Sequence, residues 1–212
     1  MAPVSGKRTI RAAGERVLLT DGRGVTVRPL DAGDAAALIE AVEHEDPWDL
    51  RRRFMGVPPA ATQLARQLGR ADGFHDLVIG AFADDGRLVG VAQFDRRDDR
   101  PTAEVAIEVA HEWQRVRLGT VLLTTLAALA RDRGVHEFTA TYYADNVAIR
   151  RLLRQLGHAL DSGYDHGQGY ASFDLDNADG DGAHRVARGE LTQTIQRDRT
   201  AYSDSSTARP ET

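Results

Sequence analysis

Two glutamates and one basic turn hold the residue types with chemical use in this chain. Glu104 and Glu108 flank Ala106 in a stretch whose β-branched residues, Val105, Ile107 and Val109, read as a buried strand. Side chains alternate along a strand, so the two carboxylates share one face and Ala106 leaves room between them. A carboxylate beside a cleft can take a proton directly or through a water. An amine with a pKa of about 10.4 in water needs that service before it can attack an electrophile. Two carboxylates on a central strand are expensive to bury without a use. The other reading is a solvated strand end with both glutamates facing water.

The strand end, Val109-Ala110-His111, leads into Gln114-Arg115-Val116-Arg117-Leu118-Gly119-Thr120. This segment opens a helix, and a helix start offers unpaired backbone N–H groups and the positive end of a dipole. Two arginines add charge, so the turn reads as an anion site, for phosphates above all. An ordinary strand-to-helix connection with solvated arginines has the same composition.

The elements that must position these groups follow from periodicity. Leu118, Leu122, Leu126 and Leu129 form one helical stripe, closed by Arg131, Arg133 and Gly134. Upstream, Val17–Thr20 and Val25–Arg28 flank a turn-forming Asp21–Gly24, a hairpin signal. Asp31 and Asp34 pair as a helix start, and Pro47 opens a further helix through Phe54. Leu64 and Leu68 mark a short third helix. Strands are expected at 77–82, 88–94 and about 103–110, then at 138–143. Asn146 caps a helix whose stripe is Ile149, Leu152, Leu153 and Leu156, closed by Gly157. Two last strands are expected near 158–164 and 170–175. A strand–helix–strand order implies a parallel pair with a right-handed crossover. Residues 1–14 read as a flexible arm and 177–212 as a flexible tail, the latter with a marginal helical turn at 190–195. The folded domain is expected over 15–176.

Composition bounds the rest. The chain has 212 residues, with 27 Lys+Arg against 32 Asp+Glu, a formal net charge of −5. That balance argues against a nucleic-acid binder. The absence of cysteine excludes disulfides, thiolate metal sites and a cysteine nucleophile. No His/Asp/Glu cluster has metal-ligand spacing, so no metal is expected. No long apolar run or signal pattern is visible, so a cytoplasmic protein without membrane contact is expected. Arg51, Arg52 and Arg53 read as one solvated face with a helix-end charge. His75 reads as a surface-loop histidine, and one of Tyr142 and Tyr143 reads as core.

The order of elements resembles that of the GNAT N-acetyltransferase superfamily. Gln114-Arg115-Val116-Arg117-Leu118-Gly119 stands in the frame of that family's Gln-x-x-Gly-x-Gly/Ala, and Asn146 and Gly157-His158 stand where the next helix opens and closes. Leu50-Arg51-Arg52-Arg53-Phe54-Met55-Gly56, Ala103-Glu104-Val105-Ala106 and Trp113-Gln114 are similar to the bacterial protein-lysine acetyltransferase branch. The resemblance covers roughly residues 24 to 176. It implies an α/β fold: a mixed, mostly antiparallel sheet with one parallel pair splayed at the acetyl-CoA site and helices on both faces. It implies acetyl-CoA as co-substrate, held by 109–111, 114–120 and Asn146. It implies acetyl transfer to a primary amine, a protein lysine being the favoured acceptor, with Glu104 as general base because it matches the Glu of Ala-Glu-x-Ala. Glu108 ranks second and could position a water or raise its neighbour's pKa. A small-molecule amine acceptor, and a non-catalytic acyl-CoA-binding or regulatory module, are the alternatives; an oligomer is left open.

Three residues depart from the family pattern. Arg117 replaces the first glycine of the pyrophosphate turn, where a side chain restricts backbone approach but its charge can pair with phosphate. Leu153 stands where many members place a tyrosine that protonates the leaving thiolate, a residue the protein-lysine branch lacks. His158 replaces a packing aromatic.

Overall fold

The computed structural model describes residues 14–68, 70–97, 100–156 and 159–176. Residues 1–13 of the expected arm, the tail and its 190–195 turn lie outside these residues, as do Gly157 and His158.

Strands β1 (Glu15–Leu18) and β2 (Gly24–Pro29) form the expected hairpin, with Val17 opposite Val25. Asp31 and Asp34 cap one another around a short 3-10 turn that feeds α1 (Ala35–His44). Helix α2 (Pro47–Phe54) starts where Asp46 accepts the N–H groups of Trp48 and Asp49, with proline in the first turn. It stops at Met55, which adopts the left-handed conformation. Helix α3 (Ala61–Leu68) is followed by β3 (Asp76–Ala83), β4 (Leu88–Asp95) and β5 (Thr102–Val109). Then come α4 (Leu118–Arg131), β6 (Glu137–Tyr143), α5 (Val147–Leu153), β7 (Ala159–Asp165) and β8 (Gln168–Asp174). Gly134, with φ +76°, ends α4.

The strands form one sheet in the order β1-β2-β3-β4-β5-β6-β8-β7. Every neighbouring pair is antiparallel except β5 and β6. Alternation puts two cores on its two faces. On one, α4 presents Leu118, Leu122, Leu126 and Leu129 to Ala92, Phe94, Ala103, Val105 and Phe138. On the other, Leu38 of α1 and Leu68 of α3 meet Leu30 and Leu88, with Val78 and Val91 packed against them. Glu108 lies opposite Val91 in the ladder, so it belongs to this second face. Of the two tyrosines, Tyr142 is the core residue.

Candidate active site

The parallel pair is short. β5 and β6 are in register only at Thr102–Glu137, Ala103–Phe138 and Glu104–Thr139, although both strands run on. β5 stays paired to β4 as far as Val109. The gap beyond Glu104 therefore opens a cleft between β5 and β6. Its volume is about 1360 Å³, and Arg115, Arg117, Gly119, Thr120 and Asn146 help line it.

At its far end lies the basic turn. Val121 donates the first helical hydrogen bond of α4, to the Arg117 carbonyl at 3.0 Å. The N–H groups of Leu118, Gly119 and Thr120 thus precede the helical ladder, and no side chain caps this helix start. Arg115 (φ +62°) and Arg117 (φ +71°) both adopt the left-handed conformation, and both are exposed. Arginine has replaced the glycine while keeping the backbone shape that glycine takes without strain, at a penalty of about 1–2 kcal/mol. Gly119 is needed for close approach, since a Cβ there would stand 3.2 Å from Leu152 of α5. Thr120 is tied to the 3-10 turn that follows α5 by a 2.8 Å hydrogen bond from its hydroxyl to Gln155.

The turn is braced from below. Arg23 of the β1–β2 hairpin stacks on buried Trp113 at 3.9 Å and donates to the Glu112 carbonyl at 3.0 Å. The Thr20 N–H reaches the Val116 carbonyl at 3.4 Å. Leu118 is fully buried, so it can offer a ligand only its backbone. Val109 and Ala110 are half-buried at the strand end, and the Ala110 N–H is taken by the Val89 carbonyl at 3.1 Å. Exposed His111 places Nδ1 3.6 Å from Asp49.

Gln114 and Asn146 have internal duties. The Gln114 amide donates to Asp49 Oδ2 at 3.2 Å and to the Val109 carbonyl at 3.1 Å, pinning α2 against the end of β5. The Asn146 side chain accepts the Ile149 N–H at 3.1 Å and so starts α5, as its position in the sequence predicts. The apolar stripe after Asn146 does not form one helix: α5 ends at Leu153 and tightens into a 3-10 turn over Arg154–Leu156.

The two glutamates share a face but not an environment. Glu104 is exposed, opposite exposed Asp95. Glu108 is half-buried, and its Oε1 is buried with no hydrogen-bond partner among the described residues. Burial pushes its carboxyl up to about 7; Arg53 opposes the shift, while Glu45 and Asp49 add to it. Glu108 also lies where two clefts meet. It lines the β5–β6 cleft and a second cleft of about 790 Å³, bounded by α1, α2, α3 and β4. Glu104 lines only the first.

The expectation of a solvated Arg51–Arg53 face fails at Arg53. Leu50 is buried and Arg53 lies three residues on, so the helix turns Arg53 inward. Its guanidinium is desolvated, which lowers its pKa, while Glu108 and Glu104 raise it. Sequence reading also passed over Asp49 and Glu45. Among the described residues no group of three His, Asp or Glu could hold a metal ion. No helix among them is long and apolar enough to cross a membrane.

Comparison with known proteins agrees with this geometry. The model of the Acetyltransferase (GNAT) family matches residues 38–158, more than half of the chain. Acetyltransferase PA5475 of Pseudomonas aeruginosa is 29% identical over 143 residues, 66% of this chain and 77% of that protein. Acetyltransferase Pat of Mycolicibacterium smegmatis is 28% identical over 144 residues; the match spans 66% of this chain but only 43% of Pat. The crystal structure of the GNAT domain of S. lividans PAT shares the fold with a TM-score of 0.70 at 24% identity, covering 76% of this chain and 97% of that one. The yncA structure from Salmonella typhimurium, solved with its cofactor acetyl-CoA, gives 0.59 at 24% identity, covering 72% of this chain and 94% of that one. A β5–β6 cleft ending on an uncapped helix start, in a chain whose greater part matches the family model, makes this protein a member of the GNAT acetyltransferase family, which uses acetyl-CoA as co-substrate.

Proposed function

We propose that the protein transfers the acetyl group of acetyl-CoA to a primary amine, with Glu108 as the general base and a protein lysine as the favoured acceptor. The observation that carries this reading is the position of Glu108 at the meeting of the two clefts with one buried, unpartnered oxygen. The β5–β6 cleft takes the co-substrate. The free N–H groups of Leu118, Gly119 and Thr120 and the exposed Arg115 and Arg117 suit its diphosphate. The second cleft takes the amine; Glu40, Glu45 and Asp46 along it favour a cation, while Glu112 there is paired with Arg87.

In this scheme ionised Glu108 accepts a proton from the incoming ammonium. The neutral amine forms a C–N bond to the thioester carbon, the C–S bond breaks, and the departing sulfur takes up a proton. Leu153, buried in the core, has none to give, so Glu108 or solvent returns it. Gln114 acts here by holding α2 against β5, and exposed Glu104 lines only the first cleft. The resemblance of residues 50–56, 103–106 and 113–114 to the bacterial protein-lysine acetyltransferase branch supports the protein-lysine preference.

Acetyl-CoA titration by calorimetry, coupled to thiol release over a panel of lysine peptides and small amines, tests the reading. Binding with release on lysine peptides is expected. Release on small amines alone moves the acceptor to the small-molecule class. Binding without release on any amine leaves a regulatory module, and no binding contradicts the whole reading.

A further inference from the structure

Arg53 has no role in the chemistry above, yet its charge is placed where that chemistry would happen. It sits in the last turn of α2, which packs against β5, and it lines both clefts together with Glu108. Among the described residues it makes no hydrogen bond and no ion pair within 4.0 Å. Its recorded contact is the ring of its neighbour Phe54, 4.9 Å from the guanidinium carbon. The side chain is half-buried, and partial loss of water weakens the screening of its charge.

We propose that Arg53 is a positioning residue for the transfer: across the junction of the two clefts its fixed positive charge holds Glu108 in the ionised form that can accept a proton at neutral pH. The proposal rests on the reading of Glu108 as the base. The groups around Glu108 make the need plain. Glu45 at the end of α1 and Asp49 of α2 are both acidic and both disfavour a second negative charge. Glu104 lies on the same strand face, and α3 contributes only the uncharged Leu64 and Gln67 to the junction. His111 is exposed and turned to Asp49. Among the described residues, Arg53 is the cation that acts on Glu108 from the elements packed around it. Because the two groups do not form a close ion pair, the guanidinium does not occupy the carboxylate that the amine must reach, while its charge is still felt there.

The test is the titration of Glu108 itself, followed by carbon-detected NMR of side-chain-labelled glutamate in the full chain, with Glu108→Gln used to assign the signal. Arg53→Gln is expected to move the midpoint upward by about one pH unit, at the lower end of what a nearby opposite charge does. Arg53→Lys, which keeps the charge, is expected to stay within about a third of that shift. The rising limb of the acetyl-transfer rate against pH should move by the same amount in the same variants. Thermal unfolding of each variant shows that it is folded. An unmoved Glu108 midpoint in folded Arg53→Gln overturns the proposal. A midpoint that moves while the rate profile stays still upholds the electrostatic link and instead removes Glu108 as the base.

Discussion

Gln114 and Asp49, separated by 65 positions in the chain, are joined by a 3.2 Å hydrogen bond from the glutamine amide to the aspartate carboxylate. The same amide also holds the Val109 carbonyl. One side chain thus ties α2, the last residue of β5 and the turn before α4 into a single unit. The helix so fixed carries Arg53 and the strand so fixed carries Glu108. The glutamine that stands in the family's sequence frame bonds here between elements of the protein.

A double-mutant cycle on Gln114→Ala and Asp49→Ala, read by chemical unfolding, should give a coupling of about 1 kcal/mol, the usual worth of one such hydrogen bond. Both single variants should lower the transfer rate, since each releases α2 from β5. Purely additive effects would show that the bond does not contribute.

Arg117 keeps a glycine-like backbone with φ +71°. Arg117→Gly should therefore raise thermal stability by about 1 kcal/mol, through relief of the left-handed strain less the entropy glycine adds to the unfolded chain. Acetyl-CoA affinity should change only modestly. Arg117→Glu should weaken it at least tenfold by repelling phosphate. Calorimetry on the three proteins decides the matter. No binding by the wild type, with binding restored in Arg117→Gly, would mean that the side chain blocks the turn.

Burial of Glu108 has a consequence for stability that does not depend on catalysis. Its carboxyl is raised from an ordinary 4.5 to about 7 in the folded protein. Between those values the folded state binds more protons than the unfolded one, so this group's contribution to stability is full below about pH 4.5 and is lost as pH rises through 7. Glu108→Gln removes that loss. The melting temperature of the variant minus that of the wild type should therefore be larger at pH 8 than at pH 5. A difference independent of pH would show that Glu108 titrates normally.

The β5–turn–α4 unit was legible in the sequence because each part carries a local signal: β-branched alternation, a glycine and two arginines at a helix start, then a leucine stripe. The hairpin, the Asp31–Asp34 cap and the Asn146 cap were legible for the same reason. The splay of β5 from β6 has no local signal and entered only through resemblance to a family. The inward turn of Arg53 was hidden because α2 has eight residues. Three consecutive arginines in so short a helix read as a solvated face, and only the burial of Leu50 fixes its rotation. The Gln114–Asp49 bond is non-local, and no periodicity could announce it. Glu104 and Glu108 look alike in the sequence because the strand period places both on one face. Their difference comes from what covers that face, namely α1, α2 and α3 over Glu108 and open cleft over Glu104.

The most direct measurement is the rate of thiol release from acetyl-CoA, with the best amine of the acceptor panel, for wild type, Glu108→Gln and Glu104→Gln between pH 5.5 and 9. The wild-type rate should rise with pH through a midpoint near that of Glu108, about 7. Glu108→Gln should lose roughly 10²-fold or more, the ordinary worth of a positioned base, together with that rising limb, while acetyl-CoA affinity stays within about twofold. Glu104→Gln should lose less and keep the limb. A Glu108→Gln protein that retains full rate and the same profile, beside a Glu104→Gln protein that loses both, would contradict the assignment and return the base to Glu104.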